Sequence, residues 1–212
     1  MIPDDAVERL MESALNIGAA CDKENVQQWE VYATQGYGHS LEIEAGRISM
    51  ASGGGDGGFG IRIVEDGRYG YAHLVDPSSA SRAIQQALSI AKRSPSIDGF
   101  ELPGNESASK VGGMKDKAIL DMGPEDLLEQ GDQVLTRVTE LDSRAVAVGG
   151  GIGVGAGAGA LVTSSGIETG GVHTSHGIGI HVSIDEDEHL TSSYEGESSR
   201  SILKDLTASV DK

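Results

Sequence analysis

The chain has 212 residues and a formal net charge of −17, from 33 Asp+Glu against 16 Lys+Arg. That length buries a sizeable core in one large domain or two small ones, and the charge repels phosphate backbones, which argues against direct nucleic-acid binding. No apolar run approaches the ~18 residues of a membrane span, the N-terminal stretch lacks a basic-then-apolar signal pattern, and a lone Cys21 excludes an intramolecular disulfide, so the expectation is a cytoplasmic protein with no membrane contact.

Asp4 to Ala20 reads as an amphipathic helix, with Val7, Leu10, Met11, Ala14 and Leu15 recurring at three and four. Gln28 to Gln35 and His39 to Glu44 alternate as two strands. Ala45-Gly46 turns the second into Arg47–Ser52, and Phe59 to Val64 is a further strand. Asp66-Gly67 between apolar runs signals a hairpin returning through Tyr69 to Leu74. Asp76-Pro77 opens a helix whose buried face is Ala83, Ile84, Ala87, Leu88 and Ala91. Residues 96 to 118 have no period and read as a linker. Pro124 opens a second long helix lined by Leu127, Leu128, Val134, Leu135, Val138 and Leu141. Arg144 to Val162 is strand-like, residues 164–166 form a turn, Ile178 to Ile184 is a strand, and Leu190 to Tyr194 can pair with it. A third helix is expected from about Glu197, through Ile202, Leu203, Leu206 and Val210.

The order implies an α+β fold: antiparallel sheets with segregated helices in two α+β subdomains, residues 1–100 and 119–212, joined by a linker at 101–118. The acids are scattered, a solvated surface rather than a tail. With few lysines and few aromatics, that surface would suit a high-salt cytoplasm; stability that stays flat from low to molar salt would refute this.

Five features invite chemistry. Gly53-x-Gly55-x-x-Gly58 satisfies the dinucleotide pattern, but a strand follows it where a helix is required, so Gly53 to Gly60 reads as a flexible connection into the hairpin. Residues 149–159, GGGIGVGAGAG, lack the Gly-Lys-Ser/Thr of a phosphate loop. They read as a strand packed tightly under a helix, or as a smooth wall for an extended peptide. His173, His176 and His181 suggest a metal, yet residues three apart on a strand face opposite ways, so exposed strand histidines are expected. Glu186, Asp187, Glu188 and Glu195 read as a solvated turn and edge, and Cys21 as structural. No Gly-x-Ser-x-Gly elbow occurs. On the residues alone, no catalytic, cofactor-binding or metal-ligating residue is assigned.

Several strings together resemble a known family. WEVYATQGYGHSLEIEAGRI, GFGIRIVEDGRYGYAHLVDPSS, ALSIAKRSP, DGFELP, LVTSSGIETGGVHTS and SSYEGESSRS, in that order and spacing from Ala6 to Leu206, resemble the TldD/PmbA family. The hairpin and DGFELP strings look closer to its PmbA (TldE) branch. The resemblance implies a non-catalytic subunit, or fragment of one, of a TldD-type zinc-dependent metalloprotease that degrades or processes unfolded peptides. Its expected partners are a TldD-like subunit or a second copy, with zinc held by the TldD-like partner through His-Glu-x-x-x-His and none on this chain. That string is absent from these 212 residues. An older family label is modulator of DNA gyrase. The family's C-terminal β-rich domain is not covered, so the chain is expected to be either the front part of a longer subunit or a short relative. The alternative reading is a stand-alone peptide- or protein-interaction module without protease activity.

Overall fold

The computed structural model describes residues 2–104, 109, 111–186 and 189–211. The elements in chain order are α1 (Ala6–Lys23), β1 (Gln28–Glu44), β2 (Arg47–Glu65), β3 (Arg68–Leu74), α2 (Ala80–Ala91), α3 (Lys117–Asp121), α4 (Pro124–Leu141), β4 (Val146–Thr163), β5 (Glu168–Glu186) and β6 (His189–Ser199). Short 3₁₀ turns lie at Pro77–Ser79 and Thr207–Ser209. The fold is α+β, built on one antiparallel six-stranded sheet of order β3-β2-β1-β4-β5-β6. The first and second halves of the chain are joined inside that sheet, where β1 pairs with β4 from Glu30↔Thr163 to Glu44↔Gly149.

Strand length is the main departure from the sequence reading. The two strands expected before Ala45 are one strand of 17 residues, and β2 runs unbroken for 19. The expected flexible connection at Gly53 to Gly60 is therefore corrected. These glycines are paired strand, from His39↔Gly53 to Tyr32↔Gly60. Glycine's weak strand propensity is overridden because both flanks, Arg47–Ser52 and Phe59–Val64, are already registered on β1. The two hairpin turns form as expected. Ala45 and Gly46 (φ 50° and 75°) and Asp66 and Gly67 (φ 51° and 70°) make two-residue loops with both central residues left-handed, the geometry that matches strand twist.

Alternation along the strands gives the sheet a helix-covered face and an open face. On β1, Trp29, Val31, Ala33, Leu41 and Ile43 are buried under helices. At about 3.3 Å per residue β1 is some 55 Å long, so two clusters fit side by side beneath different helices. The first gathers Leu10, Ala14 and Ile17 of α1 and Ala83, Ile84 and Ala87 of α2 on β1–β3 and the end of β4. The second gathers Leu127, Val134 and Val138 of α4 on Leu41, Ile43, Ile152, Ile178 and Ile180. Gly18 lets α1 settle on the Trp29 ring, whose Nε1–H donates to Asp22 at 2.7 Å. Of the expected face of α4, Leu128 and Leu141 remain exposed.

The third helix expected from Glu197 does not form. β6 continues to Ser199, and an irregular segment follows. Its backbone donors are taken by side chains: Ile202 N–H by Asp116 Oδ2 at 2.9 Å and Leu203 N–H by His176 Nδ1 at 3.0 Å. The apolar set was read correctly, since Leu206 is buried and Ile202, Leu203 and Val210 pack against the second cluster, but tertiary acceptors replace helical ones.

Candidate functional site

β4 alternates by residue type. Ile152, Val154, Ala158, Ala160 and Val162 are buried on the helix side, so Gly151, Gly153, Gly155, Gly157 and Gly159 all face the open side. The expectation of tight packing under a helix is thus corrected: the side-chain-free face points away from every helix. Neighbouring strands extend it with Gly36 and Gly38 of β1, Gly58 and Gly60 of β2, and Gly177 and Gly179 of β5. Rings from adjacent strands lie over its margins. The His173 imidazole covers Gly157, the Tyr32 hydroxyl reaches Gly159, Tyr194 covers Gly179 and Tyr71 covers Gly60. The result is a flat backbone surface edged by aromatic rings. Tyr32, Tyr71 and Tyr194 stay more than half exposed. Ring-over-glycine packing shields strand backbone from water while adding little relief.

The three histidines separate as strand geometry requires. His173 and His181 lie exposed on the open face. His176 points the other way and is fully buried, which corrects the expectation that all three are exposed. Because Leu203 N–H donates to its Nδ1, the proton sits on Nε2, which donates to Gln130 Oε1 at 3.2 Å. Burial lowers its pKa below 6.5, so the ring is held neutral as an acceptor. It acts with Thr174, whose Oγ1 donates to Arg200 O at 2.6 Å and accepts from Asp116 N at 2.9 Å. Backbone N–H groups of Ile202 and then Ala118 lower the Asp116 pKa. Together these side chains tack residues 200–203 to β5.

Cys21 is buried in the first cluster. Desolvation, followed by the nearby Asp22 charge, pushes its thiol up to about 12, which makes it a poor nucleophile. Glu186 and Glu195 lie at the outer strands; Glu186 pairs with Arg144, which also binds Asp142 at 2.6 Å. That guanidinium's hydrogen bonds hold the Asp142 carboxyl down to about 2. Asp187 and Glu188 lie outside the described residues. Among the described residues, no three His, Cys, Asp or Glu side chains gather to hold a metal, and no helix is long and apolar enough to cross a membrane.

One pairing escaped the sequence reading. In the seam between the two clusters, the Tyr37 hydroxyl and His39 Nε2 are 2.9 Å apart, with the rings edge-on. The two-residue spacing on one strand, which puts both on the same face, was the available signal. No carboxylate hydrogen-bonds this imidazole among the described residues, so the pair lacks the orienting third group of a catalytic relay.

The strings that carried the family resemblance meet at one end of the sheet. Trp29 N–H donates to Ser164 Oγ at 3.0 Å, Leu102 N–H to Gln28 Oε1 at 2.8 Å, and Ser165 Oγ to Pro103 O at 2.9 Å. Residues 29–91 match the family model described as PmbA/TldA metallopeptidase domain 1. Over that segment the chain is similar to the first domain of the TldD/PmbA family. No curated protein sequence matches it. Likeness of fold to solved structures extends well beyond the matched segment. TldE from Thermococcus kodakarensis superposes with a TM-score of 0.75 at 20% identity over 88% of this chain and 42% of its own. A candidate modulator of DNA gyrase from Bacteroides thetaiotaomicron gives 0.80 at 20% identity over 95% and 46%. Another from Thermotoga maritima gives 0.73 at 12% identity over 90% and 43%. The chain therefore spans less than half the length of each of these three proteins.

Proposed function

We propose that the chain acts as a PmbA/TldE-like, non-catalytic subunit, or the front part of one, in a TldD-type metalloprotease that degrades or processes unfolded peptides. The observation that carries this reading is the match of residues 29–91 to a metallopeptidase first domain in a sequence without a His-Glu-x-x-x-His string. The likeness of fold to TldE supports the branch. On this reading, zinc belongs to a TldD-like partner, where it would polarise the scissile carbonyl and activate water. This chain's part is to shape the cavity and hold an extended peptide by backbone hydrogen bonds. Two strand edges are available for that. Among the described residues, β3 pairs only with Phe59 to Glu65 of β2, leaving the outer side of Arg47 to Gly57 without a strand partner, and β6 pairs on one side only.

The test is co-purification with a TldD-like subunit, followed by peptidase assays with and without a chelator. The expected result is a stable complex whose peptidase activity the chelator abolishes, while the isolated chain is inactive. Stoichiometric zinc and peptidase activity on the isolated chain would overturn the non-catalytic role. The second reading, a stand-alone interaction module, draws on the exposure of Leu190 (73%) and Tyr194 (68%) on β6. It gains if the chain associates with no TldD-like protein.

A further inference from the structure

A concave region lies on the open face beside the flat glycine surface. Gly58 and Gly60 of β2 form its floor. Tyr32 of β1 stands on one side, and Tyr71 and His73 of β3 stand on the other. The strand register sets this arrangement, with Gly60 between Tyr32 and His73, and Arg62 between Glu30 and Tyr71. Glu30 and Arg62 close one end as an ion pair at 3.3 Å, while Asp56 stands at the other. The trough holds about 590 Å³, within the usual range of ligand sites, ~300–1,000 Å³. Its depth depends on the bare floor: a Cβ on Gly60 would lie 2.9 Å from the Tyr71 hydroxyl.

Its charges select the occupant. Arg62 is neutralised by Glu30, whose side chain is only 16% exposed. Asp56 has no ion-pair partner among the described residues. The trough therefore carries one uncompensated carboxylate at one end, beyond the Tyr32 and Tyr71 rings, on a chain of net charge −17. Tyrosine faces attract cations, a carboxylate forks onto a guanidinium, and the surrounding field repels anions.

We propose that this trough is a subsite for a basic side chain, an arginine or lysine of an extended polypeptide. The unpaired edge of β2 shows how that side chain would arrive. Leu74 and Val75 lie against Gly58, so a strand added beside Ser52 to Asp56 would continue the line of β3 beyond them. Its open-face side chains fall in the same row as Tyr71 and His73, which puts one of them beside Asp56, at the open end of the trough. The side-chain site stands on the trough itself; its delivery by a peptide strand rests on the proposed peptide-holding role.

The experiment is a titration of the isotope-labelled chain, followed by amide NMR, with arginine amide and separately with its neutral isostere citrulline amide. Saturable shifts at Asp56, Gly58 and Gly60 are expected with arginine amide, and at least ~5-fold weaker binding with citrulline amide. Asp56→Asn and Tyr71→Ala should each weaken arginine amide by roughly 3- to 10-fold while leaving amide dispersion unchanged. Equal response to both ligands, shifts confined to other residues, or indifference to Asp56→Asn would overturn the proposal. A second titration uses an extended heptapeptide with a central arginine and the same peptide N-methylated at alternate residues. Tighter binding of the unmethylated peptide supports strand delivery. If the two peptides bind alike while arginine amide still binds, the peptide-holding reading fails and the basic subsite remains.

Discussion

The two faces of β4 are made by the same eighteen residues and obey different rules. On the helix side, Ile152, Val154, Ala158, Ala160 and Val162 are packed beneath α1 and α4. On the open side the strand has no side chain from Gly151 to Gly159, and rings from its neighbours supply the cover. One face stabilises the fold by burying area. The other leaves backbone and aromatic faces accessible to a partner. The difference teaches that glycine richness here is a property of one face, and that position in the alternation decides its meaning.

The sharpest way to break this contrast is to truncate the packed face. Ile152 is 1% exposed in the second cluster. Ile152→Ala should cost about 2–5 kcal/mol through lost burial and a residual cavity, read as a drop in urea midpoint with little change in slope.

His176 tests whether the packed face depends on its polar contacts as well. His176→Ala should cost roughly 2–4 kcal/mol, because it empties a buried volume and strands the Leu203 N–H. The wild-type group also sets a pH dependence. Its folded pKa lies below the ordinary 6.5, so the unfolded chain binds the proton more readily. The His176 contribution is complete above about pH 6.5 and is lost as pH falls below it. Urea midpoints at pH 8 and pH 5 should differ more for wild type than for His176→Asn. Equal differences would show that the latch does not titrate.

Smaller effects are expected on the open face, and they grade with local cover. At Gly157 a new Cβ would meet the His173 ring, 2.6 Å away. Gly157→Val should cost about 1 kcal/mol, mostly by displacing that ring, and should shift the His173 resonances. At Gly153 the nearest atom is His39 O at 3.9 Å, so Gly153→Val should change stability by no more than about 0.5 kcal/mol. A cost at Gly153 equal to that of Ile152→Ala would mean that the open face is packed in solution.

Local chemistry made much of the fold legible. The Asp66-Gly67 hairpin, the Asp76-Pro77 helix start and the Pro124 start each need only a few residues, whose backbone preferences act wherever the chain goes. Asp76 Oδ1 accepts from Ser78 N–H at 2.9 Å, and Asp126 Oδ2 from Gly123 N–H at 2.7 Å. The candidate site was less legible. The sequence separates His173 from His176 by alternation, but it cannot show that Thr174, His176 and Asp116 converge on residues 200–203 from three distant segments. Nor could it bring Tyr32, Tyr71 and Asp56 around Gly58 and Gly60, since that grouping depends on the register of three strands.

By itself the sequence determined the alternation that divides each strand between two faces, the turns that reverse them, the family strings and the lack of a zinc-ligand motif. These are properties of neighbouring residues, fixed by backbone geometry and side-chain type. Only the tertiary structure decided that Gly53 to Gly60 is strand rather than loop, that the β4 glycines face away from the helices, and that the segment after Ser199 gives its N–H groups to Asp116 and His176. Each of those outcomes turns on a hydrogen-bond partner that is far away in the chain and adjacent only once the sheet has closed its register.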